Sequence, residues 1–308
     1  MISMPSVLKT ILKAWLKYNL FDRFCYKRYK LHMKRGEWQR LVNKVYYHIG
    51  ARFFPKITWI TNKTTWENNE FIPPREKGGL VVVANHKYLI DPFFCSMAFT
   101  GPHVYREIRW VSKIENFTTP IVKSIIFPFG TIPLSPERTL TPRTEKEIQY
   151  CLKRGLCVGM FPEGGRTKKG PIRPFKTGAA RMVILNKVPY IPTALLGNRD
   201  LLKGKAHIRV GTPVYLQDGL DPNNRELLQE IADDMQKQVV ALYFNKPQPP
   251  ARYEKKPAPY SPLPIGNGTK FQPQSLIMQK SSPLLAVREI NVPETYSYHD
   301  NERKLVQF

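Results

Sequence analysis

Two short segments of this sequence carry side chains that could do chemistry. In the first, a histidine and an aspartate stand five positions apart, at His86 and Asp91. A neutral imidazole held in one tautomer by a carboxylate takes a proton from a hydroxyl at neutral pH. Composition alone gives one of the six histidines such an aspartate about one time in six. The pair is therefore weak evidence by itself, and a hydrogen-bonded structural histidine is the default interpretation.

The second segment, residues 161–166, reads Phe-Pro-Glu-Gly-Gly-Arg. Gly164 and Gly165 let the backbone come close to an anion and adopt positive φ. Arg166 offers a rigid fork that suits a phosphate. Glu163 cannot bind a phosphate directly, but it could orient the arginine or hold a substrate hydroxyl. The plain alternative is an ordinary strand-to-helix turn with a solvated arginine, and the two interpretations weigh about equally.

The elements around these segments indicate an α/β domain with a mostly parallel sheet flanked by helices. Each segment directly follows a short apolar run, and apolar runs alternate with helical patterns along the chain. Since the carboxyl ends of parallel strands meet at one edge of a sheet, both segments are expected to share a cleft. Strands are predicted at 79–84, 107–112, 156–161, 189–196 and 207–215, and helices at about 92–99, 117–126, 143–153, 178–186 and 222–243.

Charge is the strongest compositional signal. The 308 residues carry a formal net charge of +24, and residues 1–56 hold about 13 basic side chains against two acidic ones. Such a field attracts polyanions, whether nucleic acid or an anionic lipid surface, and charge alone does not choose between them. Four cysteines without a C-x-x-C pair argue against a disulfide framework and a structural zinc site.

The chain divides by composition into three parts. Residues 1–56 are predicted to form a basic, amphipathic helical region, with one helix at 7–20 and a second helical pattern at 41–53. An apolar face with lysines beside it is typical of a helix lying in a membrane interface, although packing on the protein's own core explains it equally well. No apolar run reaches 18 residues, so no transmembrane helix is expected. Residues 57–244 form the α/β domain, and residues 245–308, rich in proline, are predicted to be a mostly extended or disordered tail.

Further segments join these two in an ordered series. The series resembles the motifs of the lysophosphatidic acid and glycerol-phosphate acyltransferase family, in the family's order and spacing across about 80–200. Coincidence over so many ordered blocks is improbable. The matching segments are 85–93, 113–115 with 128–132, 161–166, 175–179 and 188–192.

The resemblance implies roles for particular residues. His86 would be the general base and Asp91 its orienting partner, while the acceptor would be bound by Glu163, Gly164, Gly165, Arg166, Lys113 and Lys176. The family uses no metal and no acyl-enzyme intermediate, and its donors are acyl-CoA or acyl carrier protein. The resemblance thus implies an O-acyltransferase that makes phosphatidic acid from 1-acylglycerol 3-phosphate. The basic region would seat it, as a peripheral or monotopic protein, on the cytoplasmic face of a membrane, with lipids rather than nucleic acid as partners.

Two departures from the family pattern bear on the acceptor. The second block usually carries an arginine where this chain has Pro136, although Arg138 stands two positions further on. Gly165 occupies a position where the family most often has threonine or serine. Two alternatives therefore stay open: transfer to another lysolipid or alcohol, and a non-catalytic basic protein that binds membranes or nucleic acid.

Overall fold

The computed structural model describes residues 37–101, 104–137, 139–199 and 204–255. Three 3-10 turns lie at Asn69–Phe71, Arg75–Lys77 and Ile114–Phe117. The strands are β1 (Thr65–Glu67), β2 (Leu80–Ala84), β3 (Ile108–Lys113), β4 (Ile132–Leu134), β5 (Cys157–Met160), β6 (Tyr190–Asn198) and β7 (Lys205–Val210). The helices are α1 (Glu37–Asn62), α2 (Asp91–Ala98), α3 (Pro120–Ile126), α4 (Pro142–Lys153), α5 (Gly178–Asn186) and α6 (Arg225–Tyr243).

The strands form one sheet in the order β1-β7-β6-β2-β5-β3-β4. Neighbouring strands run parallel except β6 and β7, which are antiparallel. The central strand β2 is buried along its whole length. A strand covered on both faces has no side chains in water, which explains why it reads as a continuous apolar run. The predicted mostly parallel α/β sheet is confirmed.

Helices cover both faces of the sheet. Val81 and Val83 of β2 pack in one core cluster with residues of α4, α5 and α6. Leu80, Val82 and Ala84 point to the opposite face and pack in a second cluster with residues of α2. This alternation follows from the two-residue period of a strand. The packing on both sides holds the carboxyl end of β2 in place, and the loop that follows it is anchored accordingly.

The edges of the sheet differ from the sequence prediction. Strands β1 and β4 are each only three residues long, too short to show an alternating pattern, and neither was predicted. Strand β7 ends at Val210 rather than at 215, since Val214 makes only an isolated bridge to Tyr190. Both differences lie away from β2 and β5, the strands that precede the two motifs.

Helix α1 is attached to the sheet domain by polar contacts. The Tyr47 hydroxyl accepts a hydrogen bond from the backbone N–H of Ile108 at 2.9 Å, and Arg40 pairs with Glu147 at 3.2 Å. The helix continues without a break across position 56, where the sequence suggested a domain boundary. The helix predicted at 7–20 lies outside the described residues.

The start of the predicted tail packs on the domain. Gln238 Nε2 donates to the carbonyl of Pro249 at 3.0 Å, Asp234 accepts from the backbone N–H of Arg252 at 3.0 Å, and Ala251 is buried. The polar side chains that bind this proline-rich backbone belong to α6. The sequence of the segment itself therefore shows no periodic pattern that would predict the packing. The described part of the tail, 245–255, therefore packs on the domain without forming a helix or strand, and residues 256–308 lie outside the described range.

Candidate active site

The loop between β2 and α2 brings the histidine and the aspartate together. His86 Nδ1 lies 3.0 Å from Asp91 Oδ2. The same oxygen accepts the backbone N–H groups of Lys87 at 2.6 Å and Tyr88 at 2.8 Å. These charge-assisted hydrogen bonds close the loop into a tight turn. Pro92 then stands in the first turn of α2, where a missing N–H leaves no partner unsatisfied. The five-residue spacing is thus the length of one turn closed by the aspartate.

Asp91 is fully buried and has a charged partner in addition to the neutral His86 ring. Arg199, itself 1% exposed, donates from Nε to Asp91 Oδ1 at 2.6 Å. Burial by itself raises the pKa of Asp91. The hydrogen bond with His86, the charge of Arg199 and the backbone N–H of Tyr88 outweigh burial and hold the pKa of this carboxyl below its usual value. Asp91 is therefore an ionised carboxylate at neutral pH.

The His86 ring is held on its other sides by aromatic residues. It stacks on Phe161 with ring centroids 4.1 Å apart, and Phe161 stacks on Trp110 at 4.5 Å. Because Asp91 is an acceptor, the Nδ1 atom that faces it carries the proton, and this assignment leaves Nε2 unprotonated. The side chain is 14% exposed and lines a cavity. His86 therefore combines a fixed ring, an ionised partner and access to a ligand.

Glu163 connects the two motifs. Its Oε1 accepts the backbone N–H of His86 at 2.6 Å, and its Oε2 accepts the Thr167 hydroxyl and the backbone N–H of Arg173. The backbone N–H of Thr167 in turn donates to the carbonyl of His86 at 2.7 Å. The side chain is almost completely buried. Glu163 thus holds the backbone that carries His86 instead of presenting a free carboxylate to the cleft.

The cavity beside His86 has a volume of about 1100 Å³ and two chemically different parts. One part is apolar, with walls from α1, α2, α3 and the turn after α3 that include Phe53, Phe54, Phe93, Ile125 and Phe129. The other part is lined by basic side chains. No aspartate or glutamate belongs to the lining that the structure describes. Such a cavity suits a ligand with an apolar chain and an anionic head.

The basic part of the cavity contains Lys113, Arg166 and Lys176. All three are exposed, and Arg166 makes no hydrogen bond or ion pair with a described residue. Gly164 has a φ of +70°, and a Cβ there would stand 2.7 Å from Lys176 Cε. Glycine at this position therefore lets the lysine approach the turn. Gly165 also lines the cavity. These groups are free to meet an anion.

Every residue predicted for the site except Glu163 and Asp91 lies in the cavity wall, and those two hold His86 from behind. Pro136 is not in the lining, and Arg138 lies outside the described residues. Within the part of the chain that the structure describes, no cluster of three or more potential metal ligands is found.

Sequence reasoning missed Arg199, Thr167 and the aromatic stack under His86. Arg199 follows the end of β6, the strand beside β2, so a polar residue just beyond an apolar strand was the available signal. Its partner stands 108 positions away. Only the strand order identifies the two as neighbours.

Comparison with known proteins gives a consistent assignment. Residues 63–196 match the family model described as acyltransferase. The chain is 25% identical over 184 residues to the chloroplastic 1-acyl-sn-glycerol-3-phosphate acyltransferase BAT2 of Brassica napus, covering 55% of this chain and 51% of that protein. It is 28% identical over 189 residues to a protein of the same name from Chlamydomonas reinhardtii, covering 60% and 53%. For the Bacillus subtilis protein of that name the identity is 26% over 179 residues, covering 57% and 85%.

The chain spans about half the length of the plant and algal relatives. A crystal structure of the 1-acyl-sn-glycerophosphate acyltransferase PlsC from Thermotoga maritima is 21% identical, with a TM-score of 0.47 over 71% of this chain and 86% of that one. That likeness is too weak to support a conclusion. The family match and the names of the relatives nevertheless agree with each other, and the family match includes both motifs. Residues 63–196 of this chain are thus similar in sequence to the acyltransferase family.

Proposed function

We propose that this protein is an O-acyltransferase that transfers a fatty acyl group from a thioester to 1-acylglycerol 3-phosphate, forming phosphatidic acid. The observation that carries the proposal is the His86–Asp91 pair, which faces a cavity with an apolar part and a basic part. The apolar part suits acyl chains, and the basic part suits the acceptor's phosphate. The names of the relatives support the same acceptor.

The reaction uses His86 as general base. Nε2 takes the proton of the acceptor hydroxyl as its oxygen attacks the thioester carbonyl carbon. The carbon–sulfur bond of the tetrahedral intermediate then breaks, and the leaving thiolate takes the proton back from the imidazole. Asp91 stabilises the imidazolium between these steps and keeps Nδ1 protonated. The products are the ester and a free thiol, with acyl-CoA or acyl carrier protein as the donor and no cofactor.

An acceptor panel tests the assignment. Purified protein would be given acyl-CoA or acyl carrier protein donors with 1-acylglycerol 3-phosphate, glycerol 3-phosphate and lysolipids with other heads. We expect 1-acylglycerol 3-phosphate to give the highest kcat/KM. Because Pro136 replaces the family's arginine, the panel includes acceptors without a phosphate monoester. A preference for one of those would assign the site to another lysolipid or alcohol.

Arg166 is proposed to bind the acceptor phosphate. Replacing Arg166 by alanine is expected to raise KM for 1-acylglycerol 3-phosphate by about tenfold or more, because a hydrogen bond to a charged group contributes about 1.5–3 kcal/mol. The kcat value should change much less, since the phosphate does not react. Lys169→Ala is the matched control, because Lys169 is basic and exposed but does not line the cavity. An unchanged KM in Arg166→Ala would remove this residue from the site.

Exposed apolar residues beside the cavity support the proposal that the enzyme binds a membrane. Leu41, Val45, Ile49 and Phe53 recur every four residues along α1 and are each about half exposed or more, so they form an apolar stripe on one face. Phe53 belongs to the stripe and also lines the cavity. A lipid substrate would thus reach the site from an apolar surface. None of the described helices has the length and hydropathy needed to cross a bilayer. We propose peripheral or monotopic binding to the cytoplasmic face through α1 and the basic residues before it.

Phe53→Asp is expected to reduce sedimentation with anionic liposomes severalfold, because it places a charge where an apolar ring would enter the interface. The melting temperature should stay unchanged, since Phe53 is 60% exposed. Phe244→Asp is the control: Phe244 is 64% exposed but follows α6 and does not line the cavity. Equal liposome binding by both variants and the wild type would rule out this face as the membrane contact.

A further inference from the structure

A buried arginine stands behind the proposed catalytic pair. Arg199 donates from Nε to Asp91 Oδ1 at 2.6 Å and from Nη1 to the carbonyl of Leu195 at 2.6 Å, and its guanidinium carbon lies 4.9 Å from the centre of the Tyr88 ring. Its Nη2 is buried and has no hydrogen-bond partner among the described residues. A buried unpaired donor is unfavourable, so the other contacts of Arg199 have to offset this cost.

The position of Arg199 is tied to the loop that carries His86. Asn85, the residue before His86, donates from its side-chain amide to the carbonyl of Leu195 at 3.0 Å and accepts the Leu195 N–H at 2.7 Å. Both amide groups of Asn85 are therefore used to hold β6 beside the end of β2. Because the Leu195 carbonyl also accepts from Arg199, one backbone group fixes the asparagine and the arginine together. The guanidinium is thus positioned as firmly as the histidine.

We propose that Arg199 is a positioning residue that orients Asp91 and keeps the Asp91–His86 pair ready to accept a proton. This proposal rests on the proposed function, because it concerns the protonation state of the general base. Arg199 engages Oδ1, which leaves Oδ2 to face His86 Nδ1. It acts through Asp91, it does not line the cavity, and it is not placed to touch the substrate.

The charge of Arg199 determines how tightly the pair holds a proton. With the guanidinium present, the proton-free pair, whose net charge is −1, has a cation beside it. Without that cation, the pair is stabilised when His86 is protonated, since the imidazolium becomes the only strong counter-charge to a buried carboxylate. The other titratable or charged groups close to this pair are Cys95, Lys87, Tyr88 and Glu163. Burial and the charge of Asp91 raise the pKa of Cys95, so the thiol is neutral and supplies no compensating charge.

Removing the charge should therefore move the titration of His86 to higher pH. In Arg199→Gln, the pH midpoint for His86 is expected to rise by about one pH unit, because a nearby cation disfavours the protonated imidazole and the substitution removes that cation. Arg199→Lys keeps a cation and should keep the midpoint near the wild-type value. The acid limb of kcat/KM should move in the same way, so Arg199→Gln recovers activity as pH rises. A merely structural residue would lower the rate equally at every pH.

Chemical modification measures this shift without relying on activity. Diethyl pyrocarbonate acylates only the unprotonated imidazole, and mass spectrometry of the peptide that contains His86 gives its rate of modification at each pH. Arg199→Met supplies a second neutral variant if circular dichroism shows that Arg199→Gln does not fold. Arg209→Gln is the matched control, because Arg209 pairs with Glu67 at the far edge of the sheet. Its midpoint should equal that of the wild type.

The outcomes separate this inference from the proposed function. The role of Arg199 is supported if the pH midpoint for His86 is higher in the neutral variants and unchanged in Arg199→Lys and Arg209→Gln. This holds even if no acyl transfer is detected with the acceptors tested. A neutral variant that folds and titrates like the wild type overturns it. An equal shift in Arg199→Lys also overturns it, because the effect would then not depend on charge.

Discussion

Replacing His86 by alanine is expected to lower kcat for acyl transfer by ~10²–10⁴-fold, the usual contribution of a positioned general base. The acceptor hydroxyl would then have to lose its proton to water, while the cavity and the basic side chains still bind both substrates. KM should therefore change much less than kcat. The measurement is steady-state transfer from acyl-CoA to 1-acylglycerol 3-phosphate, with the melting temperature followed in parallel.

His207→Ala is the matched control for this experiment. His207 also lies beside a carboxylate, with its Nε2 3.4 Å from Glu67 Oε1, but it belongs to β7 and does not line the cavity. It should leave kcat unchanged. Liposome binding should be the same in all three proteins. If His86→Ala keeps wild-type turnover, His86 is not the general base. If the wild type gives no turnover with either donor, the non-catalytic basic binding protein becomes the better explanation of the charge.

Asp91→Asn is expected to reduce both activity and stability. Among single substitutions in the site, it should lower the free energy of unfolding the most. The carboxylate is fully buried and pairs with a buried arginine. Removing one partner of a buried ion pair costs about 3–5 kcal/mol, because the other charge is left uncompensated. The asparagine amide also cannot accept all the hydrogen bonds that reach the two carboxylate oxygens. Urea unfolding at neutral pH measures this difference in the free energy of unfolding.

The pH dependence of this difference has a defined sign. The pKa of Asp91 in the folded protein is below its usual value of 3.8, so the carboxylate contributes stability at every pH above that value. This contribution is lost only as the pH falls through the lowered folded pKa. The part of the stability gap that comes from ionisation of Asp91 should therefore persist at neutral pH and shrink in strong acid.

Asp218→Asn is the control for stability. Asp218 forms an ion pair with Lys255, but both side chains are largely exposed, and the change should leave the unfolding midpoint where it is. An Asp91→Asn protein as stable as the wild type would show that Arg199 and Asp91 do not form the buried pair described above.

The strands and helices that position the site could be predicted from the sequence, because each of them is specified by a pattern within its own segment. The apolar runs before His86 and Glu163 are β2 and β5, which are buried neighbours in the sheet, so two motifs 77 positions apart meet at their carboxyl ends. Predicted helices 143–153 and 178–186 agree with α4 and α5 to within a residue. Periodicity sufficed there because each element is long enough to repeat its pattern.

The parts that sequence did not predict depend on contacts between distant segments. The family resemblance implied that Glu163 binds the acceptor, yet its oxygens hold the His86 backbone, Thr167 and Arg173. Its contact with the His86 N–H depends on β2 and β5 being neighbours. Arg199 was not recognised, because its partnership with Asp91 follows from β6 lying beside β2. A charged residue in a loop gives no sign of burial until the strand order is known.

The most direct test of the central claim is a product assay with purified protein, anionic liposomes that contain 1-acylglycerol 3-phosphate, and an acyl thioester labelled in its acyl group. The expected result is labelled phosphatidic acid together with one free thiol per ester formed, and at least about a hundredfold less of both in the same time with His86→Ala. Failure to form phosphatidic acid from either acyl-CoA or acyl carrier protein would contradict the proposed reaction. Equal formation by wild type and His86→Ala would contradict the role of the histidine.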